Sequence, residues 1–241
     1  MDPLLPLNIP NFSGRHNADL NLSALRLNIA HSANDLSTIC LIPNNGLLSA
    51  RIVERWLGQV SQMNQKLVRF PLVNPDKYFS LNGALENVLA TPKLNEFKYI
   101  LIMEQDSLPP YDGLIRLFES MDNFDVVGGL LYTRGEESKP MIYGHPQVIP
   151  SSYTSVAPMG EGIQPCLGLG TGYTLFKLNI FKDPLLPKPW FRSNPGFEVG
   201  KPPSVHPDMY FFENIHKLGY KVACDTRVKV GHLDAENDIV W

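Results

Sequence analysis

Cysteine is scarce in this chain, and the three present, Cys40, Cys166 and Cys224, stand far apart. Their number is odd and the C-x-x-C spacing of a redox or zinc motif is missing. Cys40 and Cys224 lie within apolar runs, which predicts buried free thiols and fits a reducing, cytoplasmic setting. No apolar run approaches the ~20 residues of a membrane helix, so no membrane span is expected. The opening Met1-Asp2-Pro3-Leu4-Leu5-Pro6 has no basic region ahead of an apolar core, and no secretory signal is expected there. Basic excess is missing too. Lys and Arg number 21 against 24 Asp and Glu, a formal charge of −3, so no broad footprint for nucleic acid is written in the composition. A local basic groove is compatible with that average. Internal repeats, low-complexity tracts and linkers are also lacking, which predicts one domain over residues 1–241.

What is present is globular in kind: 44% hydrophobic and 19% charged residues in 241. The 21 prolines and 18 glycines are scattered, which predicts many defined loops rather than disorder. Residues 1 to about 35 are Pro- and Asn-rich and read as an extended arm, with a short strand at Leu25 to Ile29. Thr38 to Ile42 is the first clear strand, stopped by Pro43-Asn44-Asn45-Gly46. A helix from about Leu48 to Met63 would place Ile52, Val53, Trp56, Leu57 and Val60 on one face. A second strand at Lys66 to Val73 closes at Asn74-Pro75-Asp76. A helix over Ser80 to Ala90 and a strand at Tyr99 to Met103 follow. That alternation predicts right-handed parallel crossovers and an α/β fold with a mixed, mainly parallel, Rossmann-like sheet flanked by helices. Further strands are expected at Asp125 to Tyr132, Gly172 to Lys177, Tyr220 to Cys224 and Val228 to Val230. A helix is expected at Asp208 to Leu218. Residues 134 to 165 read as loop-rich, with room for a short hairpin.

The most informative stretch is Tyr99-Ile100-Leu101-Ile102-Met103-Glu104-Gln105-Asp106. An apolar run ends in two carboxylates, and Pro109-Pro110 then breaks the chain. Acidic residues at the C-terminal end of such a strand stand where open α/β sheets place ligands. Carboxylates are the hard ligands that Mg²⁺ and Mn²⁺ prefer, and those ions hold phosphates. The pattern therefore points to a metal-assisted site for a phosphorylated donor; a solvated acidic turn is the plain alternative.

The order of strand, E-x-D, G-G-L-x-Y, G-x-G, P-W-F, P-D-x-Y-F and G-H resembles nucleotide-sugar glycosyltransferases of the GT-A fold. The resemblance is to the small family-2-like enzymes of bacteriophages and bacteria, and it spans about residues 37 to 234. It implies a Mn²⁺ or Mg²⁺ ion on Asp106 that bridges to the diphosphate of a UDP- or GDP-linked sugar. It makes His232 a further metal ligand; the plain reading is a strand-end histidine with a backbone partner. Asp208 matches the base of inverting members, with Pro207 where the family has Glu, or it caps the following helix. Glu104, where the family has Asp, and Gln105 fall on the donor side. Pro43, Asn44 and Asn45 end the first strand, where the nucleoside is expected. Asn74 and Asp76 are candidates for reading base or ribose. Asn82 matches the family's R-N motif, but Leu81 replaces the Arg.

Gly170, Thr171 and Gly172 border the expected donor sugar, or form a tight turn into a strand. Trp190 and Phe191 are an acceptor platform or core residues. Arg134 is a phosphate or acceptor contact, or a solvated loop residue. The acceptor implied is a glycan, a protein, a small molecule or, in a phage setting and host cytoplasm, a hydroxymethylated DNA base. Two other readings stand beside transfer. One is a sugar nucleotidyltransferase, although Pro43-Asn44-Asn45-Gly46 lacks its basic phosphate loop. The other is a catalytically silent nucleotide- or carbohydrate-binding module.

Overall fold

Thr38–Asn44 (β1) is buried from end to end, because it lies between two parallel neighbours with covered faces. The computed structural model describes residues 35–60, 65–148, 153–192 and 207–241. The arm expected over residues 1 to about 35, with its strand at Leu25 to Ile29, lies outside these but for Asp35. After β1 come Ala50–Gly58 (α1), Leu67–Val73 (β2), Lys77–Ala90 (α2), Pro92–Asn95 (α3), Tyr99–Met103 (β3), Ser107–Leu108 (β4) and Gly113–Phe118 (α4). Val126–Leu130 (β5), Ile142–Tyr143 (β6), Ile163–Cys166 (β7), Gly168–Leu169 (β8), Tyr173–Lys177 (β9) and Asn179–Lys182 (α5) follow. Pro207–Lys217 (α6), Val222–Lys229 (β10), Gly231–Asp234 (β11) and Ile239–Val240 (β12) complete the described elements.

The main sheet is seven-stranded, in the order β2-β1-β3-β9-β5-β10-β7. Strands β2, β1 and β3 are mutually parallel, and so are β5 and β10. Strand β9 runs against both β3 and β5, and β7 runs against β10. This is the mixed, mainly parallel α/β sheet of a Rossmann-like fold. Both edge strands carry a proline, Pro71 in β2 and Pro165 in β7. Proline cannot donate to a ladder, so an edge is where a sheet accepts it, and there it also discourages further pairing.

Local chemistry sets the helix ends. Ser49 caps α1, its side chain accepting from the Arg51 N–H. Helix α1 stops at Gly58, five residues short of the expected Met63, and Leu57 is 77% exposed instead of joining the apolar face. Asp76 caps α2 by accepting from the N–H groups of Tyr78 and Phe79 at 2.9 and 3.0 Å, which starts the helix three residues ahead of Ser80. Its inner face is Leu81, Leu85 and Val88.

Two further boundaries differ for electrostatic or packing reasons. Pro43 and Asn44 belong to β1, because they pair with Leu72 and Val73 beyond the reach of β3. The two strands expected over 220–230 are one strand, β10, with a register shift between Asp225 and Lys229. Asp225-Thr226-Arg227 lie between the two expected strands, yet Asp225 is fully buried and takes a two-pronged bond from Arg227 Nε and Nη2 at 2.9 and 2.7 Å. Arg227 also reaches Glu119 at 3.0 Å. The three cysteines are buried and free, and burial pushes the Cys40 thiol up to about 12.

Gly129 is held against the neighbouring strand. A Cβ there would stand 2.8 Å from the Val228 carbonyl oxygen and 2.6 Å from Val230 Cγ2. At Gly83, inside α2, a Cβ would meet nothing within 4 Å. Gly129→Ala is therefore expected to lower the unfolding free energy by about 2 kcal/mol. Gly83→Ala is expected to raise it by about 0.5–1 kcal/mol. Urea unfolding of the two variants reads both signs.

Candidate functional site

The candidate residues gather at one edge of the sheet. Strands β1, β2, β3, β5 and β10 all end there, so the chain just beyond them supplies Asn45, Asn74 to Asp76, Glu104 to Asp106, Arg134 and His232. Strand β9 is reversed, so it begins where β3 and β5 end and brings Gly170, Thr171 and Gly172 to the same edge. Contact there is close: a Cβ on Gly172 would stand 2.7 Å from Ser107 Oγ.

His232 reaches this edge through a strand pairing invisible in the sequence. Strand β11 pairs antiparallel with β4, setting His232 opposite Ser107, and the Leu233 N–H donates to the Asp106 carbonyl at 2.7 Å. Asp106 Oδ2 then lies 3.3 Å from His232 Nε2 and accepts from Arg134 Nη2. His232 Nδ1 donates to the Tyr132 carbonyl at 2.8 Å. A carbonyl only accepts, so that bond leaves the Nε2 lone pair of the neutral ring facing the Asp106 carboxylate. Burial favours the uncharged forms of both groups. In the imidazolium form Nε2–H donates to Asp106, and that charged hydrogen bond outweighs burial. It holds Asp106 below the usual carboxylate range, with Arg134 adding to the effect, and His232 above the usual histidine value, with Arg134 opposing it.

A second cluster is organised by Lys77, which the sequence reading did not single out. Lys77 Nζ donates to Glu104 Oε1 at 2.8 Å and to Thr171 Oγ1 at 3.3 Å, and lies 3.6 Å from Asp208 Oδ1. Thr171 Oγ1 donates to the same Glu104 oxygen at 2.9 Å, and the Glu104 N–H donates to the Gly172 carbonyl at 2.9 Å. Burial alone would lower the Lys77 pKa; Glu104 and Asp208 outweigh it and push it above the ordinary lysine value. The clue in the sequence was a lysine directly after a capping Asp, since a cation in the first turn opposes the helix dipole. Asp208 is 2% exposed and sits within the first turn of α6, not at its cap.

Other candidates are tied into the fold. Asn44 donates to the Ile42 carbonyl at 2.9 Å and accepts from the Gly46 N–H at 3.0 Å, so its amide serves its own turn. Asn45 accepts from the Leu47 N–H at 3.0 Å, and its own N–H donates to Gln105 Oε1 at 2.7 Å. Asn74 accepts from the Asp76 N–H at 2.8 Å, and Asp76 is the α2 cap rather than an open carboxylate. Asn82 clasps Phe191, donating to its carbonyl at 2.6 Å and accepting from its N–H at 3.1 Å. Trp190 is 1% exposed and stands edge-on to Phe181 at 5.7 Å, so it offers no open platform. Gly170 makes room for Met141, whose Cε would be 2.6 Å from a Cβ there.

Two clefts meet at Asp106. One, of about 440 Å³, runs past Ser49, Arg134 and the Leu233 to Glu236 segment. The other, of about 90 Å³, is lined by Pro43, Asn44, Asn74, Pro75, Lys77 and Glu104; Asn45, Gln105 and Asp106 border both. Among the described residues no three His, Cys, Asp or Glu side chains converge as a metal cage. Asp106 and His232 nevertheless suit a hard divalent ion as a two-donor half-site, with phosphate and water oxygens filling the remaining positions. Among the described residues no helix is long and apolar enough to cross a membrane.

No family model matches the chain, and no curated protein matches it. Among solved structures 170 chains match. One is the crystal structure of A197 from STIV, which is 16% identical, with a TM-score of 0.58 over 85% of this chain and 92% of that one. At that identity the likeness speaks for a shared fold and for nothing of the chemistry.

The Lys77 bridge has a measurable consequence. Lys77→Met leaves two carboxylates facing each other, and is expected to cost on the order of 3 kcal/mol. Adding Glu104→Gln should recover part of that loss. A double-mutant cycle by urea unfolding reads the coupling; strict additivity would show that the ammonium does not join the two groups.

Proposed function

We propose that this protein is a metal-dependent glycosyltransferase that moves a sugar from a UDP- or GDP-linked donor to an acceptor hydroxyl, with inversion. The observation that carries the reading is the pairing of two clusters at one sheet edge: Asp106 with His232 and Arg134, and Asp208 with Lys77 and Glu104. The first suits an anionic leaving group, and the second holds a fixed carboxylate for a proton. The resemblance of the ordered motifs to GT-A enzymes supports the same assignment.

Asp106 and His232 Nε2 would hold Mn²⁺ or Mg²⁺, which supplies Lewis-acid neutralisation of the leaving nucleoside diphosphate when bound. Arg134 adds a guanidinium at the same carboxylate. Pro43, Asn45, Asn74 and Gln105 line the clefts around Asp106 and take the nucleoside part of the donor. Asp208 accepts the proton of the acceptor hydroxyl as that oxygen attacks the anomeric carbon. Lys77 orients Asp208 and balances the charge it shares with Glu104. A second reading, a catalytically silent nucleotide- or carbohydrate-binding module, is favoured by one fact. Asp208 is only 2% exposed, which leaves an acceptor hydroxyl little open access to its carboxylate.

Thermal unfolding with UDP-, GDP-, CMP- and dTDP-sugars, each with and without Mn²⁺, tests the donor site. A hundredfold excess of ligand over its dissociation constant stabilises the native state by about 2.7 kcal/mol. A Mn²⁺-dependent shift with one nucleotide class is expected, and Asp106→Ala should abolish it. Asp208→Asn should keep the shift and lose sugar transfer by about 10²–10⁴-fold. Transfer at the parental rate by Asp208→Asn would refute its role as base. A shift with no transfer to any acceptor would select the silent module.

A further inference from the structure

A third cleft, of about 440 Å³, lies between helix α2 and the segment Pro189 to Arg192, and it shares no lining residue with the two clefts at Asp106. The chain from Pro75 to Tyr78 is the partition. Pro75 and Lys77 face the Asp106 side, while Asp76 and Tyr78 line the third cleft. Tyr78 also ties that cleft to the proposed base. Its ring lies 4.6 Å from Lys77 Nζ, which is 3.6 Å from Asp208. Burial first, and the Asp208 carboxylate second, push the Tyr78 phenol above its ordinary value, so Asp208 stands within electrostatic reach of this wall.

The lining has a definite chemistry. Phe79, Gly83 and Glu86 recur at the spacing of one helix face and all open into the cleft. Phe79 is 70% exposed, a large apolar ring left in water on an otherwise polar helix face. Gly83, one turn on, leaves the space beside that ring empty, since a Cβ there meets nothing within 4 Å. Among the described residues the charged groups of the lining are Glu86, Arg192 and Asp76, whose Oδ1 is taken up in capping α2. The described lining carries no excess of cations, which a polyanion needs. An open aromatic face beside the Glu86 carboxylate suits a neutral polyhydroxylated chain: C–H faces of a sugar ring lie on the phenyl ring, and the carboxylate oxygens accept from hydroxyls.

We infer that this cleft is the acceptor subsite and that the acceptor is a neutral oligosaccharide, not nucleic acid. The inference rests on the reading of the protein as a glycosyltransferase with Asp208 as base. It assigns the two sides of the 75–78 partition to the two substrates. The donor enters on the Asp106 side. The acceptor lies along α2 and presents its hydroxyl past Tyr78 to Asp208.

Binding of the full chain to an array of neutral glycans, and to maltohexaose and cellohexaose by saturation-transfer NMR, tests the assignment without any donor. Parent protein is expected to bind at least one neutral glycan. Phe79→Ala should weaken that binding about tenfold or more, and Gly83→Leu, which fills the open space, should do the same. Circular dichroism and the urea midpoint establish that both variants fold, and the Mn²⁺-dependent donor shift reports the Asp106 side separately. Absence of binding to every neutral glycan overturns the inference. So does glycan binding that neither variant weakens, or preferential, steeply salt-dependent binding of a single-stranded DNA oligonucleotide. Any of these outcomes with the donor shift intact would overturn the acceptor assignment alone, whereas loss of the donor shift in the parent protein would count against the glycosyltransferase reading itself.

Discussion

Because β9 lies antiparallel between β3 and β5, its first residues stand beside their last ones. A wholly parallel sheet would have sent the Gly170 to Gly172 turn to the opposite edge, far from Glu104 and Asp106. With β9 reversed, Thr171 donates to Glu104 and Gly172 accepts from the Glu104 N–H. The small strands β4 and β11 then pair above that edge and set His232 beside Asp106. Each close approach rests on the one before it, and the glycines stand at the approaches with least room.

Lys77 provides the electrostatic counterpart of that geometry. Glu104 and Asp208 come from elements more than a hundred residues apart, and both are largely buried. Two carboxylates in such surroundings would repel each other. One ammonium, 2.8 Å from the first and 3.6 Å from the second, offsets that repulsion. The same logic appears at the bulge in β10, where Arg227 neutralises the buried Asp225 and reaches Glu119. In both places a long cationic side chain lets a strand end, or a strand irregularity, carry a buried acid.

The division of the site into two sides follows from a turn of only four residues. The chain enters helix α2 here, with Asp76 as its cap, and Pro75 and Lys77 line one cleft while Asp76 and Tyr78 line the other. The side with Arg134 and Asp106 presents a guanidinium and a carboxylate, with His232 behind Asp106. The side with Phe79 and Glu86 presents an apolar ring and an acid. The proposed transfer would use this separation, because an anionic donor and a hydroxyl-bearing acceptor require different surroundings.

Hydrophobic runs and their punctuation were enough to place β1, β2, β3, β5, β9 and α6 along the chain, since a buried strand must be apolar and a helix must keep its period. The acidic end of β3 was legible for the same reason: the apolar run stops at Met103 and the carboxylates of Glu104 and Asp106 follow it. Residue type could not say which polar groups are consumed by the fold. Asn44, Asn74 and Asp76 turned out to close turns or cap a helix, Asn82 to clasp Phe191, and Trp190 to fill the core. Nor could it reveal Lys77, whose significance depends on partners at 104, 171 and 208. The sequence by itself determined the α/β class and the acidic strand end, because those depend on local pattern and burial. The direction of β9, the meeting of His232 with Asp106 and the ammonium joining Glu104 to Asp208 were decided only by tertiary structure, because each is a contact between segments far apart in the chain.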